Sequence, residues 1–376
     1  MLIADPVSFS RHTVRVLRNG GEFFSALFEA VGAARQRIRI EMYWWGDDAI
    51  GRRARSALAE AARRGVDVKV LVDGFGSMSL PRGFWDELAR AGGQVCTFRP
   101  PASAILALHW HAAFARDHRK IVVCDARSLV GGVNIALPWA ARSDGGGDWR
   151  DTALEVDGEP TAAHLRTLFD AAWEPRALRR GAPTATGVAW TDGDGSGHGL
   201  GILSNVPSAR RQRRIRQAYL WAIRASRRSI DITCAYFAPR PVFLRALARA
   251  VDRGVSVRLL VPLRSDVPFV RYASMPQLRW LSRRGVEVYG YGGGILHAKT
   301  AVVDGEWCTV GSHNLDGLSW AWNLECNIMA RSGELAGRLV ELFQEDLCLS
   351  VRWPPPDVGF FEACMPSALR RWYARG

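Results

Sequence analysis

The sequence contains no apolar stretch near the ~20 residues a bilayer-spanning helix needs, so any attachment to a membrane is expected to be peripheral. Its first residues, MLIADPVSFSRHTVRVL, show no basic region followed by an apolar core, and no signal peptide is expected. CxxC spacing is missing as well. The seven cysteines are dispersed and odd in number, and Cys96, Cys124, Cys234 and Cys308 sit in apolar, strand-like runs. This pattern argues against a disulfide framework or a zinc site and reads as reduced core thiols of a cytosolic protein.

What is present is a chain of 376 residues, long enough for two domains, with 48% hydrophobic and 23% charged residues. The formal charge is +13, and the excess is mostly arginine. Such a surface favours nucleic acid, acidic lipid headgroups or phosphorylated substrates without choosing among them.

The chain repeats itself. AARRGVDVKVLVDG (61–74) resembles AVDRGVSVRLLVPL (250–263): a helical Ala/Arg pattern, a glycine at the helix end, then an alternating valine strand. RQRIRIEMYWW (35–45) matches SRRSIDITCAYF (226–237), and ELARAGGQVCTF (87–98) matches RWLSRRGVEVYGY (279–291). Helices alternating with strands predict an α/β fold with largely parallel pairing, built from two duplicated halves. The expected division is 1–175, a Gly/Pro/Ser/Thr-rich linker at 176–200, and 201–376. The linker glycines lack the preceding strand and following helix of a dinucleotide loop.

Each half ends its repeat with one pattern. DHRKIVVCD (117–125) and LHAKTAVVD (296–304) both read His, any residue, Lys, four residues, Asp. One copy of His-x-Lys before a strand is commonplace; two copies at the same place of a repeat are not. In a strand, residues two apart share a face, so His118 pairs with Lys120, and His297 with Lys299. Asp125 and Asp304 fall on the opposite face at turn positions, where they serve the turn more naturally than a substrate. The chain then returns through GGVN (131–134) and GSHN (311–314), and a hairpin brings Asn134 and Asn314 back beside the histidines. Small residues there allow an anion close to the backbone. A carboxylate follows in each half, Asp151 in WRD and Glu325 in NLE.

Two imidazoles, two ammonium groups and two amides suit phosphoryl transfer that calls on no metal or other cofactor. A phosphodiester under attack gains negative charge on its equatorial oxygens, and fixed cations and amide donors stabilise that charge more than the ground state. One histidine can attack phosphorus and hold it covalently. The other can protonate the leaving oxygen and later deprotonate an acceptor, typically worth about 10²–10⁴-fold. In-line geometry then needs the histidines on opposite sides of phosphorus, one from each half.

HRKIVVCD with GGVN, and HAKTAVVD with GSHN, resemble the paired HKD motifs of the phospholipase D superfamily. The resemblance covers about 18–347 and is strongest to bacterial cardiolipin synthases of the short type without transmembrane helices. It implies two phospholipase D-like α/β sandwich halves related by pseudo-twofold symmetry, one active site between them and a phosphohistidine intermediate. It implies His118, Lys120, Asp125, His297, Lys299 and Asp304 as the motif's catalytic set, with His118 the nucleophile and His297 the acid. Asn134, Ser312 and Asn314 are implied to bind substrate phosphate, and Asp151 and Glu325 to orient the histidines. Gly132 stands where the second copy has Ser312, which removes a first-half hydroxyl. The implied partners are phosphatidylglycerol, with phosphatidylethanolamine as an alternative donor, and an anionic membrane surface at the cytoplasmic face of the bacterial inner membrane; nucleic acid is not expected. A phosphodiesterase or nuclease using water as acceptor is the alternative, and a phosphate-binding scaffold is a third reading that both intact motifs oppose.

Three further stretches bear on a lipid substrate. ASAILALHWHAAFA (102–115) is read first as packed core and second as a lip entering the headgroup region, with Trp110 at the interface; His109 and His111 have no carboxylate or cysteine nearby and stay unassigned. RRQRRIRQ (210–217) is a solvated helix face or an anionic-lipid contact. The fifteen tryptophans include Trp44, Trp45, Trp320 and Trp322 near expected site loops, and GYGGGI (290–295) leads the second motif into the cleft.

Overall fold

The computed structural model describes residues 5–100, 115–173, 188–193, 199–205, 214–317, 319 and 322–353. The valine- and isoleucine-rich runs form two sheets, one per half, as β-branched residues favour. The first holds β1 (Val7–Ser8), β2 (Thr13–Arg18), β3 (Arg37–Met42), β4 (Asp67–Asp73), β5 (Gln94–Phe98), β6 (Lys120–Cys124), β7 (Arg127–Gly131) and β8 (Thr152–Asp157). Their spatial order is β1-β2-β8-β7-β6-β3-β4-β5. The helices are α1 (Asn19–Ala33), α2 (Ala49–Arg63), α3 (Asp86–Arg90) and α4 (Glu159–Trp173).

The second half repeats this plan with β9 (Val188–Gly193), β10 (Gly199–Asn205), α5 (Arg214–Ala225), β11 (Ser229–Cys234), β12 (Phe237–Ala238), α6 (Pro241–Asp252), β13 (Ser256–Arg264), α7 (Pro268–Arg283), β14 (Glu287–Ile295), β15 (Lys299–Val303), β16 (Trp307–Gly311), β17 (Leu315–Asp316), β18 (Glu325–Arg331), α8 (Gly333–Cys348) and β19 (Ser350–Arg352). The sheet order is β19-β14-β13-β11-β15-β16-β18-β10-β9, with β12 and β17 paired separately.

Two expectations change. Parallel pairing is confined to β3, β4 and β5 and to β11, β13 and β14 among the long strands. The His–Lys strands β6 and β15 run antiparallel to β3 and β11, and each also pairs antiparallel with the strand that follows it, through a tight hairpin that a parallel pair cannot use. The stretch read as linker also contributes β9 and the start of β10 to the second sheet.

Helix amphipathicity seats each half's own core. In α2, Ile50, Ala54, Leu58 and Ala61 are buried at helical spacing, and its arginines face out. The strands between are buried on both faces, so they read as unbroken apolar runs. In β6, Val122 and Cys124 pack into the first half's core, while Ile121 and Val123 join a shared cluster. That cluster takes Val130, Leu154 and Val156 from the first half and Val310, Cys326 and Ile328 from the second. The two sheets therefore meet face to face through their central strands, and both His–Lys strands lie at this seam. Among the described residues no helix is long and apolar enough to cross a membrane.

Candidate active site

The hairpins and the seam together build the site. Two short backbone bridges cross between the halves: Asp117 with Leu324, and Arg150 with Leu296. They are fixed by His118 N–H donating to Leu324 O at 3.0 Å and His297 N–H donating to Arg150 O at 2.7 Å. Each bridge sets a histidine beside the acid of the other half. His118 Nδ1 lies 3.1 Å from both oxygens of Glu325, and His297 Nδ1 lies 2.7 Å from Asp151 Oδ2. With Nδ1 engaged by a carboxylate, Nε2 is the nitrogen each ring presents to a substrate. Either histidine's orientation thus depends on both halves.

The chain has three lysines, and two of them, Lys120 and Lys299, are buried here. Lys120 Nζ donates to His118 O at 2.7 Å, and Lys299 donates to His297 O. Asn134 and Asn314 are buried beside them. Asn134 Oδ1 accepts from Trp44 N–H at 3.1 Å, which turns its NH₂ group away from that contact. Aromatic rings wall the site: Tyr43 lies edge-on to His118 at 4.9 Å between centroids, and Trp139 edge-on to His297 at 5.1 Å.

Burial dominates the electrostatics. It depresses His118 well below the ordinary histidine value, and the ammonium groups of Lys120 and Lys299 push the same way, as does His297. The crossed contacts bring the two clusters to the same seam, so the second half's Lys299 and His297 also act on His118. Burial also depresses His297, but Asp151 opposes it. Lys120 falls to about 7, from burial first and Lys299 next, and Lys299 is lowered by burial. Burial would raise Asp151, yet its contacts with His297, Lys299 and Trp139 outweigh it and hold the carboxyl at about 2. Glu325 instead is raised by burial. The two acids are therefore unequal, although their histidines are related by the repeat.

Three of the expected roles need revision. Asp125 and Asp304 belong to the turns and not to the reacting groups. Asp125 accepts backbone N–H bonds from Arg35, Gln36 and Arg37 at 2.7, 3.1 and 2.8 Å. Asp304 does the same for Arg227, Arg228 and Ser229. Both adopt left-handed φ, 52° and 57°, which aspartate tolerates better than most residues. Each pins the start of β3 or β11 to the end of the His–Lys strand away from the histidine. Asp125→Asn keeps the turn conformation but weakens three charge-assisted bonds. It is expected to lower the unfolding free energy by about 1–3 kcal/mol, read by chemical denaturation, with specific activity of the folded enzyme within about twofold.

Ser312 is spent on Glu325, donating to Oε2 at 2.5 Å and accepting from Cys326 N–H at 3.1 Å, so its hydroxyl supports the acid that orients His118. The missing first-half hydroxyl is replaced differently. A Cβ at Gly132 would meet Asp151 Oδ1 at 2.1 Å, so only glycine leaves room for that carboxylate. The donor comes from Trp139, whose Nε1–H reaches Asp151 Oδ2 at 2.8 Å.

Sequence reasoning missed Trp139, Tyr43 and Tyr236, the last lying 6.0 Å from the His297 ring centroid. Tyr43 and Tyr236 lie in the repeat 35–45 and 226–237 but at positions that do not match, and Trp139 lies outside the quoted repeats. It also missed the ion pairs beneath His118, where Arg119 reaches Glu41 at 2.7 Å and Asp117 at 3.4 Å. Trp44 packs edge-on against Trp139 at 5.3 Å, and Trp45 is fully buried. The apolar run 102–114, with Trp110, His109 and His111, the arginines at 210–213 and Trp320 lie outside the described residues. Of the expected core thiols, Cys124, Cys234 and Cys308 are buried and unbridged, and Cys96 is half-buried.

Known proteins resemble the chain over both halves. A family model described as cardiolipin synthase, phospholipase D-like domain, matches residues 27–173 and 219–347, one segment per half. The major cardiolipin synthase ClsA of Bacillus subtilis is 33% identical over 342 residues, covering 90% of this chain and 70% of its own. Cardiolipin synthase B of Escherichia coli is 34% identical over 317 residues, covering 84% and 76%. Among solved structures, a phosphatidylserine synthase of Haemophilus influenzae superposes with a TM-score of 0.73 at 14% identity, covering 96% of this chain and 92% of that one, which speaks to the fold alone. With both motifs intact and their acids exchanged across the seam, the chain belongs to the cardiolipin synthase group of phospholipase D-like proteins and is an enzyme of the phospholipase D superfamily.

Proposed function

We propose that the enzyme makes cardiolipin by moving a phosphatidyl group from one phospholipid to a hydroxyl of phosphatidylglycerol, through a phosphohistidine. The observation that carries the reading is the pair of crossed imidazole–carboxylate contacts beside two buried lysines. His118, held neutral by burial and its cationic neighbours, attacks phosphorus through Nε2. The P–O bond to the leaving glycerol breaks as His297 Nε2–H hands that oxygen its proton. An acceptor hydroxyl then gives its proton back to His297 and attacks the phosphohistidine; the P–N bond breaks and His118 is restored. His297 suits this part because the ionised Asp151 favours its protonated form, whereas Glu325 is the weaker anion. Lys120, Lys299, Asn134 and Asn314 offer N–H donors to the equatorial oxygens, where charge grows in the transition state.

A phospholipid substrate, an acceptor of the same class and a peripheral position on the cytoplasmic face of the inner membrane complete the reading. The relatives named cardiolipin synthase support it, as does the positive net charge, which favours anionic headgroups.

Purified enzyme is offered phosphatidylglycerol vesicles, and separately DNA. Cardiolipin and glycerol in equal amounts are expected. Phosphatidic acid without cardiolipin would replace the transferase reading by hydrolysis, and cleaved DNA would replace it by a nuclease. Across pH, kcat/KM is expected to fall above about 7, because Lys120 carries its charge only below that value, and to fall on the acid side below the ordinary histidine range as His118 takes up a proton. An alkaline limb placed only near 10 would contradict the role given to Lys120.

A further inference from the structure

Seven large hydrophobic side chains are exposed among the described residues: Phe75, Met78, Trp221, Val267, Tyr272, Leu349 and Val351. Four of them sit on two connections that are counterparts in the repeat. Phe75 and Met78 follow β4, and Val267 and Tyr272 follow β13. Both strands run parallel to the neighbour that pairs with a His–Lys strand, and both leave their sheets at the end where that strand begins. The two connections therefore flank the cleft, one from each half. Scattered apolar exposure needs no explanation; a matched pair at a site mouth does.

Each connection is also tied to its own histidine through one carboxylate. Asp73 Oδ1 accepts from Phe75 N–H at 2.8 Å and Gly76 N–H at 3.0 Å, while its Oδ2 accepts from Asp117 N–H at 2.9 Å, the residue before His118. In the second half, Tyr236 donates its hydroxyl to Asp266 at 2.5 Å, next to Val267, and its ring edge faces His297. Exposed arginines stand in the same regions, Arg264 at the end of β13, Arg240 after β12 and Arg82 after Met78.

We propose that these two connections are the enzyme's docking surface for a bilayer carrying anionic phospholipid, with Phe75, Met78, Val267 and Tyr272 entering the headgroup region. The inference rests on the lipid-substrate reading and gives that reading its geometry. A lipid can bring its phosphate to the histidines while its acyl chains stay in the membrane, provided the cleft mouth faces the bilayer. Exposed apolar tips with exposed arginines in the same regions meet both halves of that requirement, burial below the headgroups and attraction to phosphate. A protein partner would leave the arginines without a stated counter-charge, and so fits less well.

The test uses the full chain with His118→Ala, so that no lipid is consumed, and vesicles of phosphatidylcholine with and without phosphatidylglycerol. This protein is expected to co-sediment with the mixed vesicles. Adding Phe75→Ser, Met78→Ser, Val267→Ser and Tyr272→Ser is expected to weaken partitioning at least about tenfold, no more than the loss of one fully buried apolar side chain. Trp221→Ser, which lies on α5, is expected to change it less than about twofold. Placed in the active chain, the four rim substitutions are expected to spare turnover of short-chain phosphatidylglycerol dispersed as monomers, which also shows the fold intact. Unchanged sedimentation of the rim variant, or an equal loss from Trp221→Ser, overturns the proposal, and so does equal loss of activity on monomers and vesicles. If rim substitutions abolish vesicle binding but the active enzyme transfers no phosphatidyl group, the docking surface stands and the substrate reading falls.

Discussion

Replacing His118 by alanine is expected to reduce phosphatidyl transfer by at least about 10⁴-fold, the scale seen when a covalent nucleophile is removed and only binding and oxyanion stabilisation remain. His118 is 8% exposed and removal of its side chain leaves Glu325 with the Ser312 hydroxyl, so the folded state keeps a partner for that carboxylate. A melting temperature within a few degrees of the parent is expected alongside the lost activity. His297→Ala is expected to match the loss on natural lipid but to differ with a p-nitrophenyl phosphodiester, whose leaving group needs no proton. There the nucleophile at His118 still works, and a burst of one p-nitrophenolate per enzyme is expected before a slow release. A burst from His118→Ala and none from His297→Ala would reverse the two roles.

The second large effect is expected at Asp151. Asp151→Asn removes the anion that holds His297 in its tautomer and favours its protonated form, and should cost about 10²–10⁴-fold in turnover of natural lipid. Because the contact crosses the seam, the defect belongs to the second-half histidine although the mutation lies in the first half. The p-nitrophenyl burst should therefore survive Asp151→Asn, as it survives His297→Ala. Loss of the burst instead would mean that Asp151 serves His118, against the 2.7 Å contact with His297. The variant's alkaline limb is also expected to move to lower pH, since His297 and Lys120 both lose an anion that favours their protonated forms.

Much of this was legible in the sequence, and for a definite reason. Duplication printed each reacting group twice, so His118, Lys120 and Asn134 could be checked against His297, Lys299 and Asn314 without a structure. Asp151 and Glu325 were readable as acids, but their partners were not. The contacts join residues 146 and 207 positions apart, and a repeat describes each half without saying how the halves face one another. Departures from the repeat were harder still. Ser312 and Gly132 looked like a phosphate contact kept and lost; they are two ways to accommodate an acid, one with a hydroxyl and one with space plus a tryptophan from another turn. Asp125 and Asp304 sit inside the motif yet act on backbone, and their spacing from the lysine already put them on the opposite face. The sheet was misjudged as largely parallel because alternating helices and strands dominate the first part of each half, while the hairpin returns occupy the second.

One experiment bears directly on the claim that imidazoles from two halves meet at a single phosphorus atom. His297→Asn is mixed with a p-nitrophenyl phosphodiester carrying a labelled phosphate, quenched under alkaline conditions that preserve phosphohistidine, and digested for peptide mass spectrometry. Label on His118, absent when His118→Ala is added to the same chain, is the expected result. Label on any other residue, or full transfer by the doubly substituted chain, would contradict it.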